Sequence, residues 1–283
     1  MSHKKPHRLY IFLSFIPLFF LLGTAQGAEQ TTTLPPDLAR IHHAGVIRVA
    51  LTREDSAPFF EQQASGLHGL DIELARDVAR ELGVRVEFNR EAANWDGVID
   101  VIDSRHADVA IAALSRTLLR AERVAYTQPY VVVSQALLVN RLKLADLDTR
   151  GDSLTRLNDP SVHIGTLEGS SYANFATTAF PAAKVALYRQ WNDGLDALLT
   201  GRIHALMFDA LLCKRTLSAS PEMAIQLQLL ITRRPDPIAM AVNWQDPQLL
   251  RWLNVYIDTI RSDGFLQALE KKYLGQGAQY VDK

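Results

Sequence analysis

The sequence predicts an α/β fold in which short apolar strands alternate with amphipathic helices and form mostly parallel sheets. Strand-like segments at 47–51 and 84–88 enclose a stretch whose apolar residues share one helical face and which ends at Gly83. A β-branched and alanine-rich segment at 108–114 is typical of a buried parallel strand. The same alternation resumes after residue 160, so it covers most of the chain.

Two features favour a chain folded into two similar lobes. Segments 95–111 and 191–208 each contain a tryptophan, an Asp-Gly pair, an apolar helix face, an arginine and a closing strand. Two lobes of like construction would produce this similarity, although two unrelated helix–strand units can also resemble each other by chance. The β-prone segment 131–139 is longer than one lobe needs, and segment 233–237 is a stiff, proline-containing joint. We therefore expect the chain to cross between lobes at these segments.

The first 27 residues have the parts of an export signal. Two lysines and an arginine precede an apolar run at 9–22, and Ala-Gln-Gly at 25–27 matches a cleavage site. The run is too short to span a bilayer comfortably, although a retained anchor is the alternative. Cleavage after Gly27 would leave 256 residues, and the loss of three basic and no acidic residues would take the net charge from −1 to −4.

Composition and motifs exclude several classes of function. A mildly acidic chain does not carry the basic stripe that nucleic-acid binding requires. Cys213 is the only cysteine, so the chain forms no internal disulfide and depends on its apolar core. The sequence lacks a phosphate loop, a G-x-S-x-G elbow and metal-binding histidine spacings. We therefore predict no cofactor, no metal site and no catalytic residues.

Arg120, six residues after the 108–114 segment, carries a positive charge where the start of a helix disfavours one. Thr117 is suited to cap a helix there, which places Arg120 in the first helical turn, where the helix dipole disfavours a cation. A bound anion would pair with the guanidinium and with the free N–H groups of that turn. The alternative is an arginine that lies in water or pairs with a glutamate.

Four passages together resemble the bacterial extracellular solute-binding proteins of the amino-acid-binding type (family 3), which are partners of ABC importers. They are VIRVAL…APFF, GLDIELARDVARELGV, ADVAIAALSRTLLRAERVAYTQPY and SDGFLQALEKKYLG. The resemblance covers about residues 38–275. It implies a two-lobed periplasmic-binding-protein-like fold of type II, in which each lobe is a mostly parallel sheet flanked by helices and the hinge is two crossing strands.

The resemblance also implies domain limits. Residues 38–131 plus 238–275 would form lobe 1, and residues 136–232 would form lobe 2. Residues 28–37 read as a disordered leader after the signal peptide at 1–27, and residues 276–283 read as a frayed tail.

By position, the resemblance assigns the α-carboxylate of an amino acid to Ser115 and Arg120. A guanidinium matches a carboxylate with two parallel hydrogen bonds. Gly169, Ser170 and Ser171 stand where the family has Gly-Thr-Thr, and backbone donors at that helix start would reach the other carboxylate oxygen.

Asp209 matches the acidic residue that pairs with the α-ammonium, although by itself it is equally suited to cap the following helix. Ala113 stands beside the carboxylate site where the family commonly has glycine. The loop 53–55 is one residue longer than usual and carries three charges, whose orientation stays open. The possible pocket for the ligand side chain comprises Ser56, Phe59, Trp95 and Leu167, of which Phe59 and Trp95 could equally be core residues.

The resemblance implies a monomeric periplasmic protein that captures an amino acid, or a similar small zwitterion, and delivers it to an ABC permease in the inner membrane. Two alternatives remain open at this point. A periplasmic lyase of the cyclohexadienyl (prephenate/arogenate) dehydratase kind would need an acid/base carboxylate in the cleft. A sensory protein would present its closed form to a membrane receptor instead of a permease.

Overall fold

The computed structural model describes residues 34–147 and 151–275. The predicted signal peptide, the first part of the predicted leader and the predicted frayed tail lie outside these residues. Within them, no helix is both long enough and apolar enough to cross a bilayer.

The strands of the described residues comprise two of 17 residues and eight much shorter ones. They are β1 Val46–Thr52, β2 Glu61–Gln63, β3 Gly66–His68, β4 Arg85–Ala92, β5 Val109–Ala110, β6 Val124–Asn140, β7 His163–Leu167, β8 Lys184–Tyr188, β9 Ala205–Asp209 and β10 Leu227–Asn243.

The helices lie between these strands and at the end of the chain. They are α1 Pro36–Ala44, α2 Leu70–Glu81, α3 Trp95–Asp103, α4 Leu118–Ala121, α5 Arg141–Ala145, α6 Ser153–Arg156, α7 Ser171–Ala179, α8 Trp191–Leu199, α9 Ala210–Ala219, α10 Met223–Gln226, α11 Pro247–Ser262 and α12 Phe265–Tyr273.

Eight of the strands form one mixed sheet in the order β4-β1-β5-β10-β6-β9-β7-β8. The outer pairs are parallel, whereas β10 runs antiparallel to β5 and β6, and β6 runs antiparallel to β9. The α/β class predicted from the alternating pattern is confirmed. The sheet is continuous because β6 and β10 belong to both of its halves.

The two long strands pair along almost their whole length, from Val124 opposite Asn243 to Asn140 opposite Leu227. Between Ile231 and Pro235 the register shifts. The prolines of segment 233–237 therefore do not end the strand, as a separate joint would. Instead they accompany an irregularity within one continuous strand, where missing ladder bonds are tolerated.

Among residues 34–147 and 151–275, the buried apolar side chains form two separate clusters, and we call the part around each cluster a lobe. The first cluster includes β1, α2, α3, β5, α11 and α12, and the second includes the C-terminal part of β6 with β7, α8 and β9. Trp95 packs against both clusters. The two lobes therefore meet at the start of α3.

Two predicted boundaries differ from the observed ones. The predicted leader extends to residue 37, but α1 begins at Pro36, and the buried Asp37 accepts hydrogen bonds from the N–H groups of Gln248 and Leu249 at the start of α11. The predicted strand 108–114 is reduced to Val109–Ala110, because the chain turns out of extended conformation at Ala113, where φ is 48°.

Candidate functional site

The chain that leaves β5 is held in an unusual conformation at Ala113. A positive φ is uncommon for a residue with a Cβ atom. The N–H of Ala113 donates to Oδ2 of Asp71, whose other carboxylate oxygen accepts the Tyr130 hydroxyl at 2.8 Å. Burial raises the pKa of Asp71 to about 7. Since Trp95 Nε1 also donates to the carbonyl of Ala112 at 3.0 Å, this turn is anchored from two sides.

Ser115 follows this turn, and its side chain takes part in hydrogen bonds that connect the two lobes. Its hydroxyl donates to Oδ2 of Asp236 at 2.9 Å, and the hydroxyl of Ser171 donates to the Ser115 Oγ at 2.7 Å. The Tyr172 hydroxyl donates to the same Asp236 oxygen at 2.9 Å. All four side chains are buried. The result is a hydrogen-bonded network that runs from lobe 1, through the crossing strand β10, to the start of α7 in lobe 2.

The sequence patterns predicted neither Tyr172 nor Asp236 as a site residue, and the charged one of these two is Asp236. Its side chain has no exposed surface, and its second oxygen, Oδ1, has no hydrogen-bond partner within the described residues. Burial raises the pKa of Asp236 to about 7, against the opposing effect of its bonds to Ser115 and Tyr172. One sequence feature could have pointed to Asp236. It lies between two prolines, on a segment already expected to cross between the lobes.

Arg120 occupies the place in the first turn of α4 that its sequence predicted, with Thr117 as the N-cap. Its guanidinium is not exposed to the cleft. Nε and Nη2 donate to Oδ1 of Asp96 at 3.0 and 2.8 Å, and Nη2 also reaches the carbonyl of Gly169 at 3.2 Å. Nη1 is buried and finds no partner in the part of the chain that the structure describes. Arg120 therefore keeps one donor group available.

The segment 169–171 lies directly against lobe 1. The carbonyl of Gly169 accepts the N–H of Asp96 at 3.0 Å, and φ of Gly169 is 68°. A Cβ atom on Gly169 would lie 2.3 Å from the side chain of Asn94. Ser170 is the N-cap of α7, but its hydroxyl donates to the carbonyl of Leu167 at 2.7 Å. The glycine is thus required by both backbone conformation and close approach.

Asp209 caps the following helix, as the sequence allowed, and its pairing with an α-ammonium stays a prediction. It is the last residue of β9 and the N-cap of α9, where Oδ1 accepts the N–H of Leu212 at 2.8 Å. It also lines the cleft, and burial raises its pKa to about 6. The capping carboxylate is therefore also part of the cleft wall.

Two adjoining cavities lie between the lobes, one of about 580 Å³ and one of about 20 Å³. They share Ser56, Trp95, Phe208 and Asp209 as lining residues. The smaller cavity brings together most of the predicted site residues, namely Ser56, Phe59, Trp95, Ala113, Ser115, Ser170, Ser171 and Asp209. Leu167 lines the larger cavity, as do all three residues of the charged loop 53–55. Arg120 and Gly169 line neither.

Aromatic rings form one wall of the cleft, and only Trp95 among them was predicted from the sequence. The Phe208 ring stacks on Tyr172 with centroids 4.5 Å apart, and it also contacts Trp95 at 5.6 Å and Trp191 at 5.9 Å. Phe208 directly precedes Asp209 at the end of β9. The cleft therefore combines aromatic faces with buried carboxylates and hydroxyl groups. Across residues 34–147 and 151–275, no group of acidic, histidine or cysteine side chains is arranged to hold a metal ion.

Comparison with known proteins agrees with this architecture. The family model of the bacterial extracellular solute-binding proteins, family 3, matches residues 47–276. The L-cystine-binding protein TcyJ of Escherichia coli (strain K12) is 25% identical over 240 residues, which cover 84% of this chain and 86% of TcyJ. The crystal structure of the ancestral amino acid-binding protein AncCDT-1, a precursor of cyclohexadienyl dehydratase, has a TM-score of 0.69 at 26% identity and covers 83% of this chain and 98% of that one.

Enzymes also occur among the relatives. The membrane-bound lytic murein transglycosylase F of Aliivibrio fischeri (strain ATCC 700601 / ES114) is 24% identical over 292 residues, which cover 100% of this chain and 56% of the enzyme.

An α/β fold of two lobes that share two strands and enclose a polar cleft is the architecture of the type II periplasmic binding proteins. Within that class, the chain belongs to the bacterial extracellular solute-binding proteins, family 3, of the amino-acid-binding type.

Proposed function

We propose that this protein works in the periplasm, where it captures an amino acid or a similar small zwitterion in the cleft and delivers it to an ABC importer. The observation that carries the proposal is a pair of buried polar atoms, Asp236 Oδ1 in the small cavity and Arg120 Nη1 behind the cleft wall, which have no partner among the described residues. A buried polar group without a partner is costly, and this cost is relieved when a ligand supplies the missing bond.

The proposed binding mode follows from the charges. Arg120 Nη1 would bind the α-carboxylate, and the hydroxyls of Ser115 and Ser171 would rotate away from their present acceptors to join it. The buried Asp209 would bind the α-ammonium. The α-carboxylate would be held mainly by lobe 1 and the α-ammonium by lobe 2. Only the closed form then satisfies both groups, so the ligand shifts the open–closed equilibrium by its differential affinity for the two states. The closed form is the one that a permease would recognise.

A ligand screen by thermal shift tests this proposal. The mature protein is heated with each of the common amino acids and with L-cystine. A ligand present at 100 times its Kd should stabilise the fold by about 2.7 kcal/mol and raise Tm accordingly. The proposal fails if none of these compounds changes Tm.

The expected partners are an amino-acid-like ligand and an inner-membrane ABC permease, with the protein itself a monomer. Light scattering on the purified protein in solution distinguishes a monomer from a dimer. A sensory role is the competing account of the same capture chemistry. A permease gene next to this gene supports transport, whereas a receptor gene there favours sensing.

A second candidate function is supported by one observation. Asp236 is a buried cleft carboxylate with a pKa raised to about 7, which suits it to take up and release a proton near neutral pH. A lyase acting on prephenate or arogenate would use such a group. Turnover of either compound by the wild type, with a loss of at least a hundredfold in Asp236→Asn, would favour the lyase. Absence of turnover would leave capture as the function.

A further inference from the structure

We propose that Asp236 binds the ligand as a neutral carboxylic acid, which carries its proton on Oδ1 and donates it to one oxygen of the α-carboxylate in the small cavity. This inference rests on the proposed function, because it adds a donor to the site already proposed for that carboxylate. The family resemblance assigned no role to Asp236. The consequence is that binding of an amino acid takes up a proton at pH values above neutrality.

The hydrogen bonds of Asp236 distinguish its two carboxyl oxygens. Oδ2 accepts two hydroxyl groups, from Ser115 at 2.9 Å and from Tyr172 at 2.9 Å. Oδ1 accepts none within the described residues, although the side chain is fully buried. An ionised carboxylate needs donors on both oxygens, whereas a carboxylic acid needs them only on its carbonyl oxygen. Two donors on Oδ2 and none on Oδ1 are therefore the arrangement expected of a neutral acid with its proton on Oδ1.

Four ionisable side chains on four neighbouring elements act on the charge of Asp236. Arg120 in α4 favours the ionised form, but its guanidinium donates to other groups and makes no hydrogen bond to Asp236. Asp209 at the end of β9 disfavours the ionised form. Burial and the charge of Asp236 raise the pKa values of Tyr172 in α7 and Tyr126 in β6, so both phenols stay protonated. Burial of Asp236 itself raises its pKa to about 7, so its neutral form is populated at neutral pH.

The small cavity is the place where Asp236 meets the ligand. Its volume is about 20 Å³, which is room for one water-sized group such as a single carboxylate oxygen. Asp236, Ser115 and Ser171 all line it, so the proposed donors converge on the same space. No second group of the ligand has to fit there, because the α-ammonium can reach Asp209 from the larger cavity, which Asp209 also lines.

The charge of the ligand determines how binding depends on the protonation of Asp236. A carboxylic acid and a carboxylate form a strong, charge-assisted hydrogen bond. An ionised Asp236 in the same place would repel the ligand carboxylate, and two anions would face each other away from water. The bound carboxylate therefore raises the pKa of Asp236 further, and by linkage the protonated protein binds more tightly than the ionised one. The affinity should be constant below about pH 7 and fall as the pH rises above it.

Proton linkage measured by calorimetry tests the inference. The probes are the twenty common L-amino acids and L-cystine, each added singly to the mature protein, and the one that binds most tightly at pH 6.5 is titrated again at pH 8 in two buffers of different ionisation enthalpy. We expect the wild type to take up about one proton per bound molecule at pH 8. Its affinity should fall by about fivefold or more between pH 7.5 and pH 8.5. Ionisation of Asp209 would change the affinity in the opposite direction, because an ammonium binds the ionised form.

Two variants assign the proton to a residue. Asp236→Asn places an amide on the same side chain, and its Nδ2 donates as the protonated acid does but does not titrate. We expect its affinity at pH 6.5 to stay within about threefold of wild type, with no proton uptake at pH 8. Asp71→Asn is the matched control, because Asp71 is another buried carboxyl group with a pKa raised to about 7. This control should keep the proton uptake of the wild type, whatever its affinity.

The outcomes separate this inference from the proposed function. Binding of an amino acid without proton uptake leaves capture standing and overturns the role of Asp236 as a donor. Uptake that persists in Asp236→Asn, or that is lost in Asp71→Asn, overturns it as well. If none of the probes binds at either pH, the proposed function fails and the inference fails with it. The wild-type measurements and the Asp71→Asn control remain decisive even if Asp236→Asn does not fold.

Discussion

The guanidinium of Arg120 is held by the carboxylate of Asp96, with Nε and Nη2 both donating to Oδ1, at 3.0 and 2.8 Å. Arg120 is almost fully buried, whereas 62% of the Asp96 side chain is exposed. Water therefore screens the charge of Asp96 much more than that of Arg120. Arg120 is buried, and Asp96 accepts from the Nε and Nη2 edge of its guanidinium. Nη1 has no partner among the described residues.

Replacing Arg120 should weaken ligand binding strongly. Arg120→Ala removes the only arginine of the proposed carboxylate site, and we expect a loss of about 2–5 kcal/mol in binding free energy. Arg123→Ala is the control, because Arg123 lies three residues on, is 45% exposed and pairs with Asp100 and Asp103 on the surface. Calorimetry with the best ligand from the thermal-shift screen measures both. An unchanged Kd in Arg120→Ala would remove Arg120 from the carboxylate site.

Replacing Asp96 should have a much smaller effect. An ion pair with a largely exposed partner contributes about 0–1 kcal/mol, because water screens it. Asp96→Asn also retains an oxygen that can accept from Arg120. We therefore expect its ligand affinity to remain within about fivefold of wild type, which corresponds to less than about 1 kcal/mol. A loss as large as that of Arg120→Ala would mean that Asp96 itself contacts the ligand.

Gly169→Ala should impair closure of the two lobes. The new Cβ atom would lie 2.3 Å from the side chain of Asn94 in the other lobe, and something there must move. Gly83→Ala is a matched control, since Gly83 has the same φ of 68°, but a Cβ atom there would have no neighbour within 4 Å among the described residues. Both variants carry the same backbone strain, so any difference between them reports the contact with Asn94.

We expect Gly169→Ala to bind ligand at least tenfold more weakly than Gly83→Ala, with similar Tm values for the two ligand-free variants. Small-angle scattering provides an independent measurement, because ligand should reduce the radius of gyration of Gly83→Ala but not of Gly169→Ala. Equal affinities would show that the lobes close without this close approach.

Stability should depend on pH through the buried carboxyl groups. Burial raises the pKa of Asp71 to about 7, well above the value of about 3.9 expected in the unfolded chain. The folded state therefore binds more protons between these values, and the stability contributed by this group is fully present below about pH 4 and lost as pH rises through about 7. Asp236 and Asp209, with pKa values of about 7 and about 6, act in the same direction.

Asp71→Asn isolates the contribution of one of these groups. The variant loses an acceptor for the Ala113 N–H or the Tyr130 hydroxyl, so at pH 5 it should be less stable than wild type by about 1–3 kcal/mol. At pH 8 the difference should shrink, because the wild type then holds an ionised, buried carboxylate. Tm values of the ligand-free proteins at pH 5 and pH 8 measure this. Parallel pH curves for the two proteins would contradict the raised pKa of Asp71.

Sequence patterns were sufficient for the parts of this protein that depend on neighbours in the chain. The alternation of strands and helices predicted the α/β class, and the polar turn before α4 placed Thr117 as its cap and Arg120 in the first turn. These features depend on the period of apolar residues and on hydrogen bonds within a few positions, and both are visible in the printed sequence.

Only the tertiary structure decided which groups are paired and which remain free. Asp236 lies in the cleft because β10 crosses between the lobes there, and its partners Ser115 and Tyr172 are 121 and 64 residues away along the chain. The bond between Arg120 and Asp96 and the contact of Gly169 with Asn94 likewise join segments distant in sequence. Burial and hydrogen bonding of this kind depend on how the chain packs in space, and no local pattern contains that information.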